Sequence, residues 1–308
     1  AYQVLARKYR PETFADLVGQ EAMVRTLRNA FKADRIAQAF IMTGIRGTGK
    51  TTTARIIAKG MNCIGRDGEG GPTTDPCGEC EHCKAIMEGR HVDVMEMDAA
   101  SNTSVNDIRE IIDSVHYRAA SARYKIYIID EVHMLSTSAF NALLKTLEEP
   151  PEHVKFIFAT TEPDKVIPTI RSRTHHYPFR LIPPRLLSSY LTELCDKEGV
   201  TIEPAALPLV VRAGAGSARD TMSVLDQLLG GAGPAGVTHA LASGLLGYTP
   251  DTLLDEVVDA FAAGDGSSVF GVVDKVIETG QDPRRFTEDL LRRLRDLEGR
   301  MAEQGKTL

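Results

Sequence analysis

The chain has 308 residues, of which 43% are hydrophobic, enough for two or three domains that each bury a core. Its formal net charge is −6, which excludes a uniformly basic surface and confines any nucleic-acid contact to a local patch. No apolar stretch approaches the roughly 20 residues of a membrane-spanning helix, and the first residues lack a signal-peptide apolar core. We therefore expect a cytoplasmic protein with no membrane partner.

The opening segment, residues 2–20, is predicted to be extended, to break at Pro11 and to turn at Gly19. A helix is predicted after it, at residues 21–32. The residue types of the opening segment, taken alone, assign no chemistry to it.

A candidate phosphate loop follows the first predicted strand, residues 39–42, and fits the pattern G-x-x-x-x-G-K-[ST] with a predicted helix after it. In this setting, backbone N–H groups and the helix N-terminus surround a β-phosphate. The Lys50 ammonium would reach the β- and γ-phosphates, and the Thr51 hydroxyl would ligate Mg²⁺. The residues predicted to hold the nucleotide phosphates are Gly44, Ile45, Arg46, Gly47, Thr48, Gly49, Lys50, Thr51 and Thr52.

Four cysteines form a candidate metal site after that helix. They are Cys63, Cys77, Cys80 and Cys83. The last three have the two-residue spacing of a metal knuckle, and four thiolates would close a tetrahedral Zn²⁺ site. The loop at residues 65–76 is rich in Gly, Pro, Thr and Asp, so a bound metal would stabilise it more than burial. Free thiols, an iron–sulfur cluster and a site with His82 in place of Cys63 remain open alternatives.

Alternating apolar and polar residues at 91–97 predict a half-buried strand. Residues 98–104 are rich in helix-capping types and precede an amphipathic helix through Ile108 and Val115. Such a helix start accepts a phosphate in some proteins and is only a cap in most, so both interpretations remain open.

Residues 125–129 are an apolar run that ends in Asp130 and Glu131. A buried strand with two carboxylates at its end is typical of nucleotide hydrolases, where it lies opposite the phosphate loop. Asp130 would hold Mg²⁺ through water, and Glu131 would polarise the attacking water. Together with the phosphate loop, this strand predicts an α/β P-loop fold with a parallel sheet.

Residues 154–159 form another apolar strand, which precedes Thr161. Because open α/β sheets bind ligands at the carboxyl ends of their strands, Thr161 is a candidate to contact the γ-phosphate or the attacking water. Arg171 and Arg173 precede a last predicted strand, residues 175–179. Their positions alone do not separate a functional role from simple solvation.

The chain after residue 183 is predicted to be helical almost throughout, because prolines end the sheet. Arg219 lies in the first turn of a helix predicted at 218–229, where a cation opposes the helix dipole. This placement suggests a task beyond local stability. A boundary is predicted at 244–250, followed by two or three amphipathic helices in a pattern that predicts further chain beyond residue 308.

These motifs together resemble the AAA+ clamp-loader family, and within it the gamma/tau branch of bacterial DNA polymerase III. The motifs are residues 6–11, Phe14, residues 18–20, the phosphate loop, the four cysteines, and residues 130–135, 140–151, 172–173 and 216–220. The resemblance implies an AAA+ nucleotide-binding domain at 1–180 with a zinc insertion at about 63–83, and a helical lid domain at 181–245. Residues 246–308 would be the start of a truncated helical collar for oligomerisation.

The resemblance implies an ATPase that opens a ring-shaped sliding clamp and places it on primed template DNA, as part of a DNA polymerase III holoenzyme. ATP, Mg²⁺ and Zn²⁺ are the implied cofactors. The implied partners are delta and delta-prime subunits, further copies of the chain, the clamp and DNA, in a hetero-oligomeric ring. Two rivals remain: another AAA+ motor, such as a branch-migration helicase or an initiator, and a subunit that binds ATP without hydrolysing it.

The resemblance also implies roles for single residues. Arg173 takes the place of an arginine finger that reaches the ATP site of the neighbouring subunit, and Thr174 replaces the Cys usual beside it. Thr161 matches the family's sensor 1, and Arg219 matches sensor 2. Residues 101–104 would face DNA, since helix N-termini contact phosphates without a basic composition. The adenine pocket would be walled by Tyr9, Arg10, Pro11 and Val18.

Overall fold

The computed structural model describes residues 2–101 and 105–303. The helices in these residues are α1 (Leu5–Lys8), α2 (Glu21–Lys32), α3 (Lys50–Asn62), α4 (Glu81–Met87), α5 (Val105–Ser114), α6 (Thr137–Glu148), α7 (Pro168–Arg171), α8 (Pro184–Glu198), α9 (Leu207–Gly214), α10 (Ala218–Gly231), α11 (His239–Leu246), α12 (Asp251–Ala262), α13 (Gly266–Glu278) and α14 (Pro283–Glu303). The strands are β1 (Ala39–Thr43), β2 (Val94–Asp98), β3 (Lys125–Asp130), β4 (Val154–Thr160) and β5 (His175–Pro178).

The five strands of the described chain form one sheet in the order β2-β3-β4-β1-β5, with every neighbouring pair parallel. The first strand therefore lies inside the sheet, between two strands that come more than 100 residues later in the sequence. The register pairs Thr43 with Thr160, which brings the carboxyl ends of β1 and β4 to the same edge of the sheet. The parallel sheet confirms the predicted α/β fold class.

Apolar cores cover both faces of the sheet, because the buried strands alternate their side chains between them. On β3, Tyr127 and Ile129 pack with helices α5, α6 and α7 on one face. Ile126 and Ile128 pack on the opposite face with helices α2 and α3. These side chains are at most 2% exposed, and burial of each stabilises the fold by roughly 1.5–3 kcal/mol. The sheet is therefore a rigid base for the loops at its edge.

The opening segment differs from its predicted extended form, since it contains the short helix α1 and a 3₁₀ turn at Phe14–Asp16. Thr13 and Asp16 form a reciprocal capping box, in which each side chain bonds the other's backbone N–H. Phe14 is buried in the core beneath α2 and α3. The prediction was wrong because the anchoring contacts of Phe14 come from distant residues.

Two compact units divide the chain: one holds the residues up to Tyr190 together with Gly214–Ser223, and the other holds Leu191–Ala213 and the residues from Val224 onward. In the second unit, helices α12, α13 and α14 pack around a small core of apolar residues. They are Leu254, Val257, Val272, Val276 and Phe286. No helix in the described part of the chain is long and apolar enough to span a membrane.

Candidate active site and metal centre

The phosphate loop lies at the carboxyl end of β1 and leads directly into α3. Three of its glycines have positive φ angles: 145° at Gly44, 77° at Gly47 and 100° at Gly49. A Cβ atom on Gly44 would lie 2.7 Å from the carbonyl oxygen of Phe179, and one on Gly47 would lie 2.4 Å from Oγ of Ser217. The loop thus needs glycine for its conformation and for close packing.

Lys50 is a buried cation held over this loop. Its Nζ donates to the carbonyl oxygens of Gly44, at 2.7 Å, and Ile45, at 2.6 Å. Burial lowers the pKa of Lys50, and the nearby carboxylates of Asp130 and Glu131 oppose that shift. The ammonium therefore sits among carboxylates and loop carbonyls, where an anion would offer it stronger bonds.

The start of α3 and the end of β3 meet through one short hydrogen bond. Thr51 Oγ1 donates to Asp130 Oδ2 at 2.6 Å, although the two residues are 79 positions apart. The other oxygen of Asp130 accepts the backbone N–H of Glu131 at 2.8 Å. The structure thereby brings together a hydroxyl and a carboxylate, the hard oxygen ligands that Mg²⁺ prefers.

Glu131 follows β3 in a left-handed conformation, with a φ of 51° that is uncommon for a residue with a side chain. Its Oε2 accepts a hydrogen bond from Thr161 Oγ1 at 3.0 Å. Thr161 comes directly after β4, the neighbour of β3 in the sheet. The parallel sheet thus places the second acidic residue and the predicted sensor side by side.

His133 is part of this arrangement, and the sequence interpretation missed it. Its ring is only 5% exposed, and Nε2 lies 3.4 Å from Glu131 Oε2 and 3.5 Å from Glu162 Oε2. Its Nδ1 lies 2.8 Å from Thr160 Oγ1. The available signal was a histidine two positions after Glu131, a spacing that a 3₁₀ turn can bring next to the carboxylate.

Arg219 lies in the first turn of α10, with an exposed side chain. Its backbone N–H donates to the carbonyl oxygen of Gly47 at 3.4 Å, and Ser217 Oγ donates to the same oxygen at 2.9 Å. The start of α10 is thereby fixed to the phosphate loop. Sequence reasoning did not foresee that Ser217 makes this connection.

The predicted adenine-pocket residues lie along the opening segment, and Tyr9, Arg10, Pro11 and Val18 are all partly buried. Arg10 Nε donates to Thr52 Oγ1 at 3.3 Å, which fixes the segment to α3. Burial lowers the pKa of Arg10, and the like charges of Arg55 and Arg219 add to that shift. The segment therefore brings positive charge to the start of α3.

Arg173 makes its described hydrogen bonds away from the phosphate loop. Its guanidinium donates to the carbonyl oxygen of Thr169 at 2.9 Å and to Glu148 Oε1 at 3.0 Å. The side chain is about one third exposed. Thr174, beside it, donates its hydroxyl to the carbonyl oxygen of Ile170 at 3.1 Å and so closes the end of α7.

The four cysteines converge, with all their Sγ atoms within 4.8 Å of one another. Cys63 follows α3, and Cys80 caps α4 by accepting the N–H of Cys83. Burial alone would raise the pKa of Cys77, but N–H bonds from Cys80 and Glu79 bring it down to about 7. Burial raises the pKa of the Cys83 thiol. Soft sulfur donors in this arrangement are compatible with Zn²⁺.

His82 has its own partner beside the cysteine cluster. Its Nδ1 lies 2.7 Å from His91 Nε2, and His91 Nδ1 accepts the backbone N–H of Asp93 at 2.9 Å. Both rings are buried. His82 thus pairs with a second histidine, while the ligand atoms that converge are those of the four cysteines, so the geometry favours the four-cysteine set.

Asp93 anchors the loop before β3. Its buried carboxylate accepts backbone N–H groups from Ala120, at 2.6 Å, and from Ser121 and Ala122, each at 2.8 Å. Burial alone would raise the pKa of Asp93, but these N–H bonds outweigh it and lower the pKa. The predicted DNA-facing residues 102–104 lie outside the described residues, and Ser101 is exposed at their edge.

Two family models match the chain. One, described as the delta subunit of DNA polymerase III, matches residues 19–183. The other, described as the ATPase lid domain of a DNA polymerase III clamp loader subunit, matches residues 187–232. Together they account for most of the first 232 residues.

Curated relatives carry the same relationship at higher identity. The gamma/tau subunit of DNA polymerase III from Mycobacterium tuberculosis H37Rv is 54% identical over 295 residues, 95% of this chain and 50% of the relative. The tau subunit from Escherichia coli K12 is 45% identical over 280 residues, 91% of this chain and 43% of the relative. The gamma subunit from Buchnera aphidicola is 38% identical over 291 residues, 94% of this chain and 79% of the relative. The chain thus spans about half the length of the mycobacterial relative.

Among solved structures, the RuvB Holliday junction branch migration motor from Thermotoga maritima is similar in fold, with a TM-score of 0.57. It is 16% identical, and the match covers 82% of this chain and 80% of that one. At this identity the likeness shows the fold alone. On the matched sequences, the chain belongs to the gamma/tau family of DNA polymerase III clamp-loader subunits.

Proposed function

We propose that the chain is the ATP-hydrolysing motor subunit of a replicative clamp loader, which opens a sliding clamp and loads it on primed DNA. The observation that carries the proposal is the meeting of Lys50, Thr51, Asp130 and Glu131 at one edge of the sheet. Family membership adds the context in which such a site performs clamp loading.

In this proposal, Lys50 leaves its two loop carbonyls and binds the β- and γ-phosphates of ATP. Thr51, joined to Asp130 at 2.6 Å, would ligate Mg²⁺, and Asp130 would hold the ion through water. The ion would neutralise charge on the phosphates. Glu131 orients the attacking water and accepts its proton. Thr161, bonded to Glu131, senses the γ-phosphate position.

The rest of the nucleotide would be held by the opening segment and by α10. Tyr9, Arg10, Pro11 and Val18 wall the adenine, and the bond from Arg10 to Thr52 supports that placement. Arg219 reaches the γ-phosphate, a role supported by the attachment of its helix to Gly47.

Arg173 would act on the ATP bound to the neighbouring subunit. Its side chain is about one third exposed, and it bonds Glu148 rather than the chain's own phosphate loop. Both observations support a role in trans. An arginine donated in trans accelerates related phosphoryl transfers by about 10³- to 10⁵-fold. We therefore infer assembly with delta-type and delta-prime-type subunits and further copies of the chain in one ring.

The four cysteines would bind one structural Zn²⁺ ion. A closed set of four thiolates leaves no open coordination position for chemistry, so the metal would stabilise the insertion. Within the proposed domain boundaries, this module belongs to an AAA+ domain at 1–180. A lid at 181–245 and a collar at 246–308 would follow, and the segment near Ser101 would face DNA.

The test is steady-state ATP hydrolysis by the chain mixed with delta-type and delta-prime-type partners, measured with and without sliding clamp plus primed DNA. We expect a large increase that needs both additions, because the proposed work of the ATPase is to place the clamp on DNA. Stimulation by DNA alone, indifferent to the clamp, would instead favour a helicase or initiator. Omission of the partners is the matched control.

A further inference from the structure

His133 lies between two carboxylates, in the 3₁₀ turn that follows the end of β3. Its ring is 5% exposed, and its Nε2 lies 3.4 Å from Glu131 Oε2 and 3.5 Å from Glu162 Oε2. Its other nitrogen, Nδ1, lies 2.8 Å from Thr160 Oγ1. The ring thus links the end of β4 to the predicted general base.

The contacts of Thr160 determine which nitrogen of the ring carries the proton. Thr160 is fully buried, and its Oγ1 accepts the backbone N–H of Glu162 at 3.0 Å. A buried hydroxyl proton needs an acceptor, and His133 Nδ1 is within reach at 2.8 Å. With Nδ1 accepting, the ring has its N–H on Nε2, which faces the two carboxylates.

The two carboxylates differ in how many other partners stabilise their charge. Glu162 already has a cation, since Lys165 Nζ lies 2.6 Å from its Oε2, and it is 44% exposed to water. Glu131 is less exposed, at 27%, and the described hydrogen-bond donor to its carboxylate is the Thr161 hydroxyl at 3.0 Å. The Glu131 carboxylate therefore depends more on the Nε2–H of His133 for stabilisation than the Glu162 carboxylate does.

Glu131 also needs support, because its backbone is in the left-handed region at a φ of 51°. The backbone N–H bond to Asp130 fixes the main chain, but the carboxylate direction depends on what bonds Oε2. Thr161 donates to that oxygen from the end of β4, and His133, in the 3₁₀ turn at Val132–Met134, places its Nε2 3.4 Å from the same oxygen.

We propose that His133 is a positioning residue for ATP hydrolysis: its Nε2–H, set by the Thr160 hydroxyl, directs the Glu131 carboxylate toward the attacking water. The inference rests on the proposed ATPase function. His133 does not touch nucleotide in this account, so its loss lowers turnover without weakening ATP binding.

The test compares two amides that each replace one ring nitrogen. In His133→Gln, the amide nitrogen extends to about the position of Nε2 and still donates to Glu131. In His133→Asn, the shorter side chain reaches only the position of Nδ1, near Thr160. Both variants are assayed as the full chain in the complete assembly with clamp and primed DNA, for kcat, KM and nucleotide affinity.

We expect His133→Asn to lower kcat roughly 10- to 100-fold with KM and nucleotide affinity near wild type, and His133→Gln to restore most of the loss. Rescue by Asn rather than Gln would assign the ring a structural contact with Thr160 and overturn the proposal. Equal activity of both variants and wild type would overturn it as well.

A Glu131→Gln background separates this inference from the proposed function. If the ring acts through the Glu131 carboxylate, His133→Asn has little further effect once that carboxylate is gone. A further loss of the same size would overturn the inference. Absence of ATP hydrolysis in the wild-type assembly would contradict the proposed function itself. Melting temperatures of both amide variants check that each is folded.

Discussion

The Lys50 side chain prepares the phosphate loop for an anion. Its ammonium is buried, and its bonds to Gly44 and Ile45 use neutral carbonyl oxygens. Such partners compensate the loss of hydration only in part, and burial lowers the pKa of Lys50 accordingly. A phosphate would form charge-assisted bonds that are stronger than either carbonyl contact.

Replacement of Lys50 by alanine is therefore expected to weaken ATP binding about 10- to 100-fold, because hydrogen bonds to a charged group are lost. The measurement is a titration of the full chain with nucleotide and Mg²⁺. Lys32→Ala, at an exposed position at the end of α2, is the matched control and should bind as wild type. Unchanged affinity in Lys50→Ala would refute the phosphate-loop assignment.

Arg173→Ala should leave ATP binding intact and remove stimulated hydrolysis, by about 10³-fold or more. Its guanidinium bonds Glu148 and Thr169 and has no described bond to the phosphate loop. Nucleotide titration and stimulated turnover of the assembly are measured side by side. Arg185→Ala, at another exposed arginine, serves as the control. An equal loss of nucleotide affinity would contradict the role in trans.

Residues in short sequence patterns, and Thr161 at the end of an apolar strand, could be named as candidates from the sequence, whereas the contact that places His133 could not. Lys50 and Asp130 lie in short patterns whose spacing carries the chemistry. The contact of His133 with Thr160 depends on the pairing of β3 with β4, across 27 positions. Side chains that meet only through the sheet left no local pattern to detect.

The four-cysteine cluster lies between two helices, with Cys63 directly after α3 and Cys80 at the start of α4. We expect about one zinc ion per chain by elemental analysis, and loss of that ion in Cys80→Ser. Chelation should lower the melting temperature of the insertion but slow ATP hydrolysis only slightly, since a closed metal site has no open position for chemistry. Cys195→Ala, at a buried cysteine outside the cluster, should retain the ion. Iron in place of zinc would refute the assignment.

The Asp93 anchor gives a pH-dependent prediction. Asp93→Asn removes a charged acceptor from three backbone N–H groups and should reduce the free energy of unfolding by about 1–3 kcal/mol at pH 7. Because the folded pKa of Asp93 is lowered, this stability is present above the unfolded pKa, near 3.8, and is lost as pH falls through the folded value.

Urea unfolding at several pH values measures this difference between wild type and Asp93→Asn. The difference should begin to narrow near pH 4, where Asp93 of the unfolded chain becomes protonated, and should close as pH falls further through the lowered folded pKa. Asp75→Asn, at an exposed position, should leave stability almost unchanged throughout. A difference that stays constant down to pH 3 would show that the carboxylate charge contributes nothing.

Helices and strands with strong periodicity were predicted well, whereas the opening segment was not. Helix α2 and the apolar strands carry their own pattern of buried residues. The segment around Phe14 has no such pattern, because its capping box and its burial depend on how it packs beneath α2 and α3. Tertiary contacts decided its structure.

In the proposed assembly, each ATP site would draw residues from two neighbouring subunits. An assembly that contains both Arg173→Ala and Glu131→Gln chains should therefore hydrolyse ATP faster than an assembly of either variant alone. The first variant keeps an intact carboxylate and the second supplies the arginine. Stimulated turnover of mixtures at several ratios is the measurement.

The control for this mixture is one chain that carries both changes, combined with Glu131→Gln. That pair has no intact Glu131 in any copy and should remain inactive. Failure of the first mixture to recover activity, in assemblies of normal size, would place the arginine within its own subunit's site.

The order of the sheet has a consequence for how the chain is made. Strand β1 pairs with β4 and β5, whose residues begin at Val154 and His175. On a ribosome that adds roughly 5–20 residues per second, β1 waits on the order of ten seconds for its first partner. During that interval an apolar strand and its glycine loop have no sheet to join, so nascent chains are expected to bind chaperones there. Release from the chaperone should coincide with synthesis of β4.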